Sequence, residues 1–292
     1  MSNDIVLDKL NSFIDTESPR MSRILYRMWE DQQDAITYKE LREAILNGTL
    51  DISTFLDWQQ DYSNFLTESY APLAQKAIDA ATADLNNIYG VNLKDPVRGA
   101  MDEYINTHGG RLIREITEKQ YKAINTLVRQ AAMTDTMTVD QLARAIRPCI
   151  GLTESQVAQT KRLYDQLREK GVPHKKALRK QMIFAAKKHR ERAASIAQTE
   201  MAYAYNAATQ TSVENAIRSG DISEDSCKYW KTAKDETVCK KCNSVAGEKV
   251  KVNETFSNGL FLPPAHPVCR CAVGYKLVRP KRKPKITGGT PI

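Results

Sequence analysis

Up to about residue 220, apolar residues recur along the chain at intervals of three and four, the period of helices that bury one face. The stripe is plain in Ile5, Leu10 and Phe13, and again in Met21, Ile24, Leu25 and Met28. Thr37 followed by Glu40 has the spacing of a capping box, and Asn47-Gly48 suits a helix end, so a short helix is expected between them. A longer helix is expected from Ser53 to about Ile88, opening on Phe55, Trp58, Tyr62 and Phe65. Tyr89-Gly90 and Asp95-Pro96 interrupt the pattern. Helices are expected to resume over residues 96–107, to stop near His108-Gly109-Gly110, and to continue from Arg111 to about Met133.

Thr138 and Gln141 open a further short helix that Pro148 should end. The run from Gly151 to Gln156 starts another, reaching Gly171-Val172-Pro173. Pro173 suits the first turn of a third helix, which meets almost no breaker across 174–218. Its later half is rich in alanine (Ala193, Ala194, Ala197, Ala202, Ala204, Ala207, Ala208), and small side chains permit close packing of helices.

The composition changes at Ser219-Gly220-Asp221. Beyond it, β character is confined to short segments such as Lys249-Val250-Lys251-Val252, set among turn residues and followed by Pro263-Pro264. The end of the chain, with Arg279, Lys281, Arg282, Lys283 and Lys285, has no residues from which to build a core. The expected fold is mainly α: multi-helix N-terminal and middle regions with long helices, a small C-terminal α+β zinc-knuckle module, and a basic disordered tail. The expected boundaries are 1–149 for a helical region without a recognisable motif, 150–220 for the long helices, 221–278 for the module and 279–292 for the tail.

Hydrophobic residues at 41% and charged residues at 27% place the 292-residue chain among ordinary globular proteins. No apolar run approaches the roughly 18 residues that cross a bilayer. The acidic N-terminus lacks the basic start and apolar core of a signal peptide, so folding in a cytoplasm, without membrane association, is expected. The net charge of +8 is unevenly spread. Residues 1–104 are acidic and basic residues dominate from Lys161 onward, which suits a half facing nucleic acid or an acidic protein surface, or equally a solvated helix face.

Four of the six cysteines, Cys239, Cys242, Cys269 and Cys271, lie in one short stretch. In a cytosolic protein such clustering points to metal rather than disulfides. The other two, Cys149 and Cys227, are expected to be buried or half-buried thiols. The Cys239-Lys240-Lys241-Cys242 turn aims two sulfurs at one point, and His266-Pro267-Val268-Cys269-Arg270-Cys271 returns further donors about two dozen residues later. Zn²⁺ suits such ligands, and Lys240, Lys241 and Arg270 lower the cost of gathering thiolates. Five groups compete for four positions. An extended 269–271 would pair Cys269 with Cys271; a turn over 266–269 would bring His266 and Cys269 together. Cys239, Cys242, His266 and Cys269 form the working set, with Cys271 in reserve; reduced metal-free thiols, or a disulfide formed in an oxidising medium, are the alternatives. A closed four-ligand site has no open position for water, and phosphate-cradling loops, GxSxG and HExxH motifs are absent from the sequence, so a structural site and a protein without catalytic residues are expected.

An ordered series of residues resembles a known family. It begins with Ile150-Gly151-Leu152-Thr153 and Gln156, and continues through Leu167, Gly171 and Arg192-Ala193-Ala194-Ser195-Ile196-Ala197-Gln198-Thr199-Glu200. Ala204, Asn206 and the segment from Trp230 to Cys239 follow, then Gly247, Phe256, Gly259 and Pro263-Pro264-Ala265-His266-Pro267-Val268-Cys269-Arg270-Cys271. The series is similar to that of the phage head-morphogenesis proteins typified by the F protein of phage Mu, and covers somewhat under half of the chain. Gln198 departs from it, standing where the family usually has arginine. The resemblance implies a minor capsid protein of a tailed bacteriophage, carried in the virion inside the head near the portal and made in the host cytoplasm. It implies the portal protein and the major capsid or scaffolding protein as partners, with roles in head assembly and in DNA packaging or ejection.

Other residues have two readings. Glu200 is either catalytic or, as favoured here, paired with a basic group or capping a chain end. Asp235-Glu236 is either a catalytic pair or, the favoured reading, part of a tight turn. Lys175, Lys176, Arg179, Lys180, Lys187, Lys188, Arg190 and Arg192 make a basic helix that either contacts phosphate or is simply solvated. Lys281, Arg282, Lys283 and Lys285 are the stronger candidates for contact with packaged double-stranded DNA. Two rival functions remain: a phage-encoded effector enzyme (a nuclease or ADP-ribosylating toxin), and a free zinc-containing DNA-binding protein.

Overall fold

A computed structural model describes residues 4–91, 110–133, 137–233 and 238–280. The expected helix over 96–107, the stop at His108-Gly109, the Asp235-Glu236 turn and the basic tail, with Lys281, Arg282, Lys283 and Lys285, lie outside the described residues.

The body is helical. Helix α1 (Ile5–Ala35) is capped by the Asp4 carboxylate and carries Pro19 in its interior. Pro19 and Asp15, whose carbonyl loses its usual partner, are both exposed, so water can replace the missing bond. Helix α2 (Tyr38–Asn47) has the expected Thr37/Glu40 capping box and ends on Gly48 in the left-handed conformation. The long helix expected from Ser53 is observed as α3 (Ile52–Phe65), a π-helical turn (Leu66–Tyr70) and α4 (Ala71–Tyr89). The cause is Pro72, which cannot donate to the Glu68 carbonyl and crowds it; the Ala71 amide reaches back five residues to Leu66 instead. Short α5 (Arg111–Arg114) leads to α6 (Ile116–Ala132), and α7 (Val139–Ile146) and α8 (Glu154–Glu169) follow, both opened by capping boxes.

The 45-residue helix α9 (His174–Arg218) is the axis of the molecule, about 67 Å long at 1.5 Å per residue. Pro173 stands one position earlier than expected, as the capping residue. The alanines of α9 are buried except Ala194, which is exposed, and Ala186, which is half-buried, and α1 and α4 pack along that small-residue surface. One core runs from Leu10, Leu25 and Trp29 of α1 through Tyr70 and Ala74 to Ala193, Ala197 and Met201 of α9. One residue of α9 departs from expectation. Arg192 is buried rather than on the basic face, with its guanidinium donating to the Gly151 carbonyl and lying 5.2 Å from the Trp29 ring centre. Gly151 has φ +91°, and a Cβ there would fall 2.7 Å from the Trp29 ring, so glycine is required at this crossing.

After Gly220 the chain forms a three-stranded antiparallel sheet, β1 (Cys227–Lys231), β2 (Lys249–Lys251) and β3 (Ala272–Lys276), in the order β2-β1-β3. Among the described residues, no helix is long and apolar enough to cross a membrane.

Candidate metal centre

Trp230, Val245 and Phe256 surround Cys242, Cys269 and Cys271, while Val252, Leu262, Val273 and Tyr275 form a second apolar cluster against α4 and α9. Trp230 and Phe256 meet edge to face at 5.1 Å. Cys239 caps the one-turn helix α10 (Lys240–Asn243), its sulfur accepting from the Cys242 amide at 3.4 Å. That turn places both sulfurs on one side. The second donor group is shaped by a turn in which the Cys269 amide donates to the His266 carbonyl (3.2 Å), with Val268 at φ +60°. The chain then straightens into β3, carrying Cys271 alongside.

The donor atoms form two overlapping triads that share Cys242: Cys239, Cys242 and His266, and Cys242, Cys269 and Cys271. His266 Nε2 lies 3.1 Å from Cys239 Sγ and 3.6 Å from Cys242 Sγ, and Cys242 Sγ lies 3.7 Å from Cys269 Sγ. A tetrahedron with Zn–S of about 2.3 Å and Zn–N of about 2.0 Å has edges of about 3.8 Å between sulfurs and about 3.5 Å between sulfur and nitrogen. The observed separations are close to this, with the Cys239–His266 edge short. Nδ1 of His266 faces the Pro267 carbonyl at 2.9 Å, which leaves Nε2 to face the sulfurs as an acceptor. The buried indole N–H of Trp230 has no hydrogen-bond partner, and the ring packs in the same cluster as Cys271. All five donors expected from the sequence are therefore gathered, and the cluster can hold a metal ion.

Protonation favours a cation here. Hydrogen bonding from Cys271 holds the Cys269 thiol down at about 5. The same bond, with burial, pushes Cys271 up, and burial beside Cys269 pushes Cys242 up to about 12. For Cys239, burial works upward, but the Cys242 amide, the Cys242 thiol, His266 and the Lys241 amide together outweigh it, leaving the thiol below its usual range. Crowded thiols of this kind cannot all ionise on their own, whereas a bound divalent ion deprotonates them together.

A polar face of α9, not singled out from the sequence, docks the module. Thr199 Oγ1 accepts from the Val268 amide (3.0 Å) beside the ligand turn. Asn206 Oδ1 accepts from the Val273 amide (2.9 Å), and its Nδ2 faces the Cys271 carbonyl (3.4 Å). Gln210 donates to the Val252 carbonyl and accepts from the Tyr275 hydroxyl (2.7 Å). The next residue after Thr199, Glu200, caps α5: its carboxylate accepts from the Gly110 and Leu112 amides at 3.0 and 2.9 Å. The signal was present in the polar positions 199, 206 and 210 of an otherwise alanine-rich helix, at spacings of seven and four. A cavity of about 330 Å³ lies between α9 and the module, with Thr199, Glu200 and His266 in its wall.

This arrangement of a helical body, a long docking helix and a Cys/His cluster coincides with a known family. Residues 122–274, just over half of the 292-residue chain, match the family described as Phage Mu protein F like protein, and the chain belongs to it. The match begins within α6, upstream of the resemblance read from Ile150. No curated protein and no solved structure matches the chain.

Proposed function

We propose that this chain is a minor capsid protein of a tailed bacteriophage, acting in head morphogenesis without an enzymatic step. The observation that carries the proposal is the family match, which spans the docking helix and the complete Cys/His cluster. The protein attaches at the portal vertex inside the head, contacts the portal and the major capsid or scaffolding protein, and supports DNA packaging or ejection. Zn²⁺ is the proposed ion, bound by four of Cys239, Cys242, His266, Cys269 and Cys271, and its chemistry is structural crosslinking. Trp230 packs against the cysteine cluster, the Pro267 carbonyl orients His266, and Thr199 holds the ligand turn against α9.

The enzyme rival has less support, because the carboxylate of Glu200 already serves two backbone amides. The test is co-purification of the full chain with the portal protein of the same phage, alongside measurement of zinc content. Stoichiometric capture with about one zinc per chain is expected. Failure to bind portal or capsid proteins, together with hydrolytic or transferase activity abolished by Glu200→Gln, would replace this reading with the enzymatic one.

A further inference from the structure

We infer that the tip of the α8–α9 hairpin binds the phosphate backbone of duplex nucleic acid. Six cations, Arg168, Lys170, Lys175, Lys176, Arg179 and Lys180, are exposed around this tip, against one exposed carboxylate, Glu169. Among the described residues, Lys175, Lys176, Arg179 and Lys180 form no ion pair; the nearest paired cations on the helix are Lys187 and Lys188, which share Glu191. The first part of α9 is buried only along the narrow stripe Ala177, Gln181, Ala185 and His189. Most of its circumference is therefore open, and Lys175, Lys176, Arg179, Lys180, Lys187 and Arg190 share that open side over about 22 Å. Burial of Arg192 separates this surface from the basic residue that belongs to the core.

The residue types select the partner. Lysine dominates, and its ammonium is a compact, strongly hydrated point charge that meets phosphate without reading sequence, whereas lysine is depleted from protein–protein interfaces. No aromatic side chain is exposed on this stretch of α9, so stacking on unpaired bases is not provided for and a duplex is the fitting form. Contact of this kind is independent of sequence and sensitive to salt. The inference stands on this surface alone and does not depend on attachment to the portal.

The experiment is fluorescence anisotropy of a 30-base-pair duplex of arbitrary sequence, titrated with the full chain over a salt series. The wild type is compared with a Lys175→Glu, Lys176→Glu, Arg179→Glu, Lys180→Glu variant, and with a tail variant in which Lys281, Arg282, Lys283 and Lys285 become Gln. All four hairpin positions are exposed, and circular dichroism with metal analysis checks that the variant stays folded. The hairpin variant should lose at least tenfold in affinity, with the slope of log K against log salt falling by about 3 to 4, while the tail variant keeps most of that slope. Equal binding by hairpin variant and wild type overturns the inference. So does a wild type that ignores the duplex at low salt, including one that instead binds anionic vesicles or an acidic protein through these lysines.

Discussion

The helical body and the Cys/His module bury their interiors by different means. In the body, Leu10, Leu25, Trp29, Tyr70 and the alanines of α9 form one apolar core whose stability comes from area removed from water. In the module, the centre is occupied by sulfur and imidazole, and the strand positions that face inward include Lys228, whose ammonium sits 3.2 Å from the Phe261 ring centre. The module also packs Val252, Leu262, Val273 and Tyr275 against Leu85, Ala207 and Val213, and a cation held among the thiols would add a crosslink that the body does not have. The two regions meet at the polar face of α9.

The contrast is broken most severely at the metal. A Cys239→Ser, Cys242→Ser variant should lose the ion and with it about 10 kcal/mol or more of stabilisation of the module. Far-ultraviolet circular dichroism should then retain the helical signal while β1–β3 unfold. The mirror experiment is Trp29→Ala, which should cost the body about 3–5 kcal/mol in denaturant melts while metal content stays unchanged.

Acid separates the regions further. His189 is buried in the body, and burial outweighs the carbonyl oxygens of Ile150 and Ala185 that face its ring, so its pKa falls from 6.5 to about 4. A folded pKa below the unfolded one means that the body is fully stable above pH 6.5 and loses up to about 3 kcal/mol as pH falls toward 4. Stability curves of wild type and His189→Gln should therefore diverge across that interval and run parallel above it. The smallest expected effect lies at the junction. Asn206→Ala leaves the Val273 amide without its acceptor, at a cost of about 1–3 kcal/mol, read as faster hydrogen exchange in β3 with little change in α1.

Legibility in the sequence follows the same division. The capping residues Thr37, Thr138 and Thr153 and the span of α9 were readable because local rules govern a helix with one apolar face. The π turn before Pro72 was not anticipated, since it depends on how one proline is accommodated within a helix that continues past it. Strand β1 was hidden because Lys228 occupies an inward position where alternation calls for an apolar residue, and β3 because Ala272 to Tyr275 are all buried and do not alternate. The five candidate metal donors were readable from spacing. Their supports were not: Trp230 behind Cys271 and Thr199 beneath the ligand turn depend on tertiary placement. Arg192 showed the same limit, since nothing local distinguishes it from the solvated lysines before it.

Hydrogen exchange of the full chain with and without a zinc chelator, accompanied by metal analysis, tests the dependence of the module on its ion most directly. The expected result is about one zinc per chain, with chelation releasing protection in β1, α10 and β3 while α1 and the first part of α9 remain protected. A metal-free protein whose module stays fully protected would contradict the account.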